Sequence, residues 1–322
     1  MSGGIGSADM DMDMDMDMDM DMSTGGVVVV GGGVTRPIGV SPALKKQGSE
    51  TWFRGNKWPP EPVAALWQNV PPIVALPPPP MGFPPGYWAA KNRAIALLGE
   101  FVQATGPGSM KWDGLRPVLD PILPTTQAAV LDEIKELIEL IEYRPGVMTE
   151  TLAQKDSILA YWQGLLMFNG KSHPKTTALI EVARCIGQFQ VMHYKWIYQR
   201  MRPSQVSPAL MPPINPPGHA AFPSGHATES MLMALLLEKV MPSAASVPPP
   251  PIPSPMTVPA PWSPLQMMAQ RVARNREVIG LHYPSDSEAG RVLAQKTFEI
   301  ITHTGQCLTI QKMIQDARLE WQ

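Results

Sequence analysis

Three short clusters in the second half of this 322-residue chain carry side chains able to bind and work on an anion. The first is Lys195 and Arg202, seven residues apart, followed by Pro203. Seven residues are two helical turns, so one helix running to about Met201 would show both cations on nearly the same face. Pro203 would end that helix and leave Arg202 at its mouth, where a guanidinium can fork onto two oxygens of a tetrahedral anion. The second cluster is Phe222-Pro223-Ser224-Gly225-His226, just ahead of an apolar run. Ser224 and Gly225 then sit at a helix start, where backbone N–H groups lack helical partners and the dipole is positive. An anion there accepts from the Gly225 N–H and the Ser224 hydroxyl. His226 beside it can donate a proton to a leaving oxygen or accept one. The third cluster is Arg276, Gly280, His282 and Asp286. A carboxylate four residues beyond a histidine can hold one ring nitrogen as N–H and leave the other to attack or to ligate.

Taken singly, each cluster has an ordinary structural reading: a solvated cationic face, a serine N-cap, an aspartate capping beside a histidine. Their order is what distinguishes them. Lys-x6-Arg-Pro, then Pro-Ser-Gly-His, then Arg-x5-His-x3-Asp resembles the signature of the superfamily of type 2 phosphatidic acid phosphatases, bacterial class A acid phosphatases and vanadium haloperoxidases. The resemblance runs from about Val191 to Leu293. It implies that Lys195, Arg202 and Arg276 neutralise an oxyanion, phosphate or vanadate, that Ser224 and Gly225 hydrogen-bond it, and that His226 is the acid or base. It further implies that His282 attacks phosphate or ligates vanadium, with Asp286 orienting it. One position departs from the pattern: the residue before Arg276, usually serine in the family, is Asn275.

The same cradle can serve phosphoryl transfer or hold a vanadate cofactor. For a vanadate-dependent peroxidase that oxidises halide with hydrogen peroxide, the segment Gly218 to Thr228 is similar to the haloperoxidase one. His219, five residues before Ser224, is its candidate rim residue. For a phosphatase working through a phosphohistidine and needing no cofactor, the stretch from His282 to Asp286, with Glu288-Ala289-Gly290-Arg291, looks like the class A enzymes. His219 and the lack of a recognisable export signal tilt the sequence toward the peroxidase. A third possibility, a non-catalytic phosphate-binding or scaffold protein, is motivated by the Asp-Met repeat and the Pro-rich stretches.

The elements that must position these clusters read as helices. Apolar residues recur at helical spacing over Tyr87 to Thr105 (Trp88, Ile95, Leu98, Val102), Thr126 to Tyr143, Glu150 to Phe168, and Thr176 to Met201 (Ile180, Ala183, Phe189, Val191, Trp196). Ala227 to Val240 and Leu265 to Ile279 follow, and Pro284 opens a helix to about Thr302. Strand patterns are almost absent, so the expected fold is an all-α bundle of six or more helices spanning residues 87–322. Around it, residues 1–26 read as a disordered tail of Asp-Met repeats, 27–86 as a Gly/Pro-rich extended arm, and 242–264 as a Pro-rich insertion.

Composition bounds the partners. With 26 Lys and Arg against 28 Asp and Glu, no nucleic-acid-binding surface is indicated and any cationic function is local. The expected partner is a small-molecule substrate. Cys185 and Cys307 lack redox or metal spacing and read as packed thiols, and His173, His193 and His303 as structural or surface residues. No apolar run is long enough to span a membrane, and the N-terminus lacks a secretory pattern, which together give a cytoplasmic expectation.

Overall fold

A computed structural model describes residues 88–241 and 263–322. The Asp-Met tail, the Gly/Pro-rich arm and the insertion up to residue 262 lie outside the described residues. Serine and threonine caps set many of the helix starts. Thr126, Ser157, Ser224 and Ser263 each stand in extended backbone, and each side-chain oxygen accepts the N–H three residues on, from Ala129, Ala160, Ala227 and Gln266.

The helices so bounded are α1 (Ala90–Gln103), α2 (Gln127–Glu139), α3 (Arg144–Asp156), α4 (Ile158–Leu166), α5 (Pro174–Tyr198), α6 (Gly225–Val240), α7 (Pro264–Val278), α8 (Pro284–Thr302) and α9 (Leu308–Arg318). No strand occurs among the described residues, and the fold is all-α as expected. At the centre is α6, in contact with α5, α7, α8 and α9 and buried on nearly every side, from Gly225 through Leu237. The main core gathers Leu232, Leu236, Ile180, Ile186, Ile300 and Ile310 around it.

Several elements differ from expectation. The run Glu150 to Phe168 is two helices, because Ser157 is extended (φ −164°) and spends its side chain capping α4. In α1 the buried face is Ala94 and Phe101 with Leu97 and Leu98 packed beside them, whereas Ile95 and Val102 are exposed, as is Trp88, which precedes the helix. Trp196 likewise points outward at 79% exposure. Pro264, read as insertion, is the first residue of α7. Helix α9 was not anticipated, although its buried Ile310, Met313 and Ala317 have helical spacing.

One end of the bundle collects the C-termini of α5 and α7 and the N-termini of α6 and α8. That polarity suits the residues found there. Lys195 and Arg276 lie in last turns, where the dipole is negative, while the first turns of α6 and α8 offer N–H groups.

Candidate active site

Helix α5 stops three residues short of Met201. Gln199 is left-handed (φ 49°), its N–H closing on the Lys195 carbonyl, and Pro203 keeps Arg202 extended at φ −66°, ψ 152°. Lys195 and Arg202 therefore do not share a helix face as their spacing suggested. They meet because the chain turns back: the Lys195 ammonium donates to the carbonyls of Ala220 (2.7 Å) and Ala221 (3.2 Å), and Arg202 Nε donates to that of His219 (3.0 Å). Both are buried cations holding the strand of chain that leads into Ser224.

Arg202 is the hub. Its Nη1 reaches the Leu281 carbonyl (3.0 Å) and His282 Nε2 (3.1 Å), and its Nη2 reaches His219 Nδ1 (3.0 Å). A guanidinium only donates, so both ring nitrogens must accept. For His282 this settles the tautomer: Nε2 carries the lone pair and Nδ1 carries the proton, donated to Asp286 Oδ2 at 3.1 Å. For His219 it means that the 3.2 Å approach of Nδ1 to the Ala220 carbonyl is not a hydrogen bond, that oxygen being served by Lys195.

Asp286 is fully buried and ties the third cluster to the second. Its Oδ2 also accepts the Tyr283 N–H (3.0 Å), its Oδ1 accepts from Arg200 Nη1 (2.6 Å), and its backbone carbonyl accepts the Ser224 N–H (2.9 Å). Burial pushes its carboxyl above the usual range, against the opposing pull of Arg200, the Tyr283 N–H and Lys195. Ser224 caps α6, with Gly225 and a largely buried His226 following in the first turn. Gly290 of α8 permits this junction: a Cβ there would stand 2.8 Å from the Ser224 carbonyl and 2.9 Å from Ala227 Cβ.

Direct hydrogen bonds thus join His219, Arg202, His282, Asp286 and Ser224 into one structure, with Lys195 tied in through the Ala220 and Ala221 carbonyls and Gly225 and His226 adjoining through the chain. Arg276 is buried at the end of α7, and its carbonyl accepts the Leu281 N–H (3.0 Å). Its Nη2 donates to α3, to the Thr151 carbonyl (2.6 Å) and Gln154 Oε1 (3.3 Å). Asn275 donates to that same Gln154 oxygen (3.1 Å), so the residue that departs from the family pattern shares an anchor with Arg276.

Sequence reasoning missed Arg200, Glu133, Tyr283 and Gln154. Arg200 Nη1 also donates to Ser285 Oγ (2.7 Å), its Nη2 donates to Glu133 Oε2 (2.7 Å), and its guanidinium lies 3.7 Å from the Tyr283 ring centroid. The Tyr283 hydroxyl is pushed up to about 12, chiefly by burial. The only local hint was a second arginine two residues before Arg202.

The fold and these bonded clusters define a class: an all-α protein with histidine, serine and buried cations gathered at one end of a helix bundle. Residues 177–304 match the family described as the PAP2 superfamily, so this stretch of the chain is similar to that superfamily. The match begins within α5 and runs past the end of α8, taking in all three clusters. No curated protein matches the chain. No helix among the described residues is long and apolar enough to cross a membrane.

Proposed function

We propose that the protein is a phosphatase-type enzyme that hydrolyses a phosphomonoester through a phosphohistidine at His282. The observation that carries this reading is the tautomer of His282, with its Nε2 lone pair held against Arg202 and its Nδ1–H held by Asp286. In the first step Nε2 bonds to phosphorus as the ester P–O bond breaks, and His226 protonates the leaving oxygen. In the second, water attacks phosphorus, His226 takes its proton, and the P–N bond breaks to release phosphate. Arg202, already on Nε2, transfers a donor to the phosphoryl oxygens, with Lys195 and Arg276 adding positive charge and Ser224 and the Gly225 N–H adding hydrogen bonds. The PAP2 match supports the same reading, members of that superfamily being generally phosphatases or related enzymes.

A second reading, the vanadate-dependent peroxidase, is favoured by His219 standing beside Arg202. The donor set fits vanadate as it fits phosphate: His282 Nε2 as ligand, and Lys195, Arg202, Arg276, Ser224 and Gly225 around the oxygens. Vanadate held there would supply a Lewis-acidic centre that activates peroxide. It ranks second because His219 Nδ1 is committed to Arg202, which makes this ring a holder of the guanidinium and weakens the reason for preferring the peroxidase.

The deciding experiment assays the purified full chain, with and without orthovanadate, for aryl phosphate hydrolysis and for bromide oxidation by peroxide. Hydrolysis that vanadate inhibits is the expected result. Vanadate-dependent bromination without hydrolysis would put the second reading first. Neither activity, with phosphate still bound, would leave only a phosphate-binding protein.

A further inference from the structure

We propose that Arg200 is a positioning residue that aims His282 by fixing Asp286, and that Glu133 of α2 fixes Arg200 in turn. The kinetic side of this inference rests on the phosphatase reading above; the geometric side does not.

The two oxygens of Asp286 have different tasks. Oδ2 takes His282 Nδ1–H and the Tyr283 N–H, while Oδ1 takes only Arg200 Nη1, at 2.6 Å. A carboxylate can turn about its last torsion, and that torsion is broad. Without a partner on Oδ1, the oxygen offered to the imidazole is no longer set. Arg200 is itself immobilised on every side: by Ser285 Oγ, by Glu133 Oε2, and by the Tyr283 ring beneath it. Glu133 closes the circuit, because its second oxygen accepts the Ser285 N–H at 2.8 Å in the first turn of α8. The Arg200 side chain is 9% exposed and that of Glu133 14%, so the pair is screened from water far more than a surface ion pair.

Position separates this set from ordinary packing. The residues Arg200 bridges, Ser285 and Asp286, sit within four residues of His282, and Arg200 itself lies two residues before Arg202, the group on the far side of the same imidazole. The imidazole is thus held by two arginines from one short segment, Arg202 directly on Nε2 and Arg200 through Asp286 on Nδ1.

The test compares wild type with Arg200→Ala, Arg200→Lys and Glu133→Gln in the full chain, using p-nitrophenyl phosphate for kinetics. The Nδ1–H proton of His282, assigned by its loss in His282→Asn, is followed by NMR. Removing such an outer partner typically lowers activity by ~10–100-fold. Arg200→Ala should lose kcat on that scale with KM nearly unchanged, and guanidinium ion added to the buffer should restore part of it. Its His282 Nδ1–H signal should broaden or shift and return with guanidinium. If Arg200→Ala does not fold, Arg200→Lys and Glu133→Gln carry the test, each expected to lower kcat and move the signal by less. A wild type without hydrolytic activity would remove the phosphatase reading, and the Nδ1–H signal alone would then decide on Arg200. Folded variants with kcat and signal both unchanged would overturn the inference, as would a loss confined to KM.

Discussion

Between Arg202 and Asp286 the His282 ring has one tautomer that satisfies both neighbours, and Asp286 determines it as much as Arg202 does. Asp286→Asn tests this at the level of a single group. An amide can turn its NH2 toward Nδ1, which would then have to accept and would move the ring proton to Nε2, the atom meant to attack. We expect a loss of ~10²–10⁴-fold in kcat toward an aryl phosphate, by analogy with the wrong-tautomer effect at buried carboxylate–histidine pairs. A variant within about tenfold of wild type, at the low end of general acid–base effects, would show that the tautomer is not what matters. The residues on and beside this ring's hydrogen-bonded chain were legible in the sequence because each belongs to a local motif: Arg202 before Pro203, Ser224 before Gly225, His282 four residues before Asp286. Arg200 was not, because its meaning comes from Glu133, 67 residues earlier, a separation that carries no pattern. Gln154, which links Asn275 to Arg276, was hidden for the same reason.

Among the helices, the contact of α8 against the start of α6 has no slack at Gly290. Gly290 lies there against the Ser224 carbonyl and the side chains of Ala227 and Thr228. A methyl group has no room, and the nearest atom is backbone, which cannot turn aside. Gly290→Ala should therefore destabilise the protein by about 1–3 kcal/mol, as overpacking does, and lower anion binding along with it, because the obstructed element carries the Ser224 hydroxyl and the Gly225 N–H. Thermal melting with and without phosphate would measure both. An unchanged melting temperature would mean that the helices separate at no cost. Helix existence was readable from apolar spacing, but ends and faces were less so. The break at Ser157 required recognising that one serine caps better than it propagates, and the end of α5 depended on Gln199 adopting a left-handed turn that its side chain does not announce. Trp88, Ile95 and Val102 matched helical spacing yet face out, since spacing alone cannot say which stripe a neighbour covers.

Over the whole molecule, the site and the two residues that flank the insertion, Met241 and Ser263, lie at opposite ends of α6. This helix of 16 residues starts at the site and is about 24 Å long at 1.5 Å per residue. Its far end is stitched to the start of α7: Glu238 accepts from the Ser263 hydroxyl and from Gln266 Nε2 (2.9 Å). The chain thus leaves and re-enters within one helical hairpin, a gap that about four to six residues commonly bridge. Replacing residues 242–262 by a Gly/Ser linker of about that length should keep the fold, the melting temperature and phosphate binding; loss of binding with the helical circular dichroism intact would tie the insertion to the site. The burial of α6 has a further consequence for time scale. Amides on a helix enclosed by α5, α7, α8 and α9 reach solvent through the larger openings of the molecule rather than by local fraying. The donors at its first turn are therefore held by the slowest-opening part of the protein, and the geometry offered to an anion persists for as long as the bundle itself stays closed.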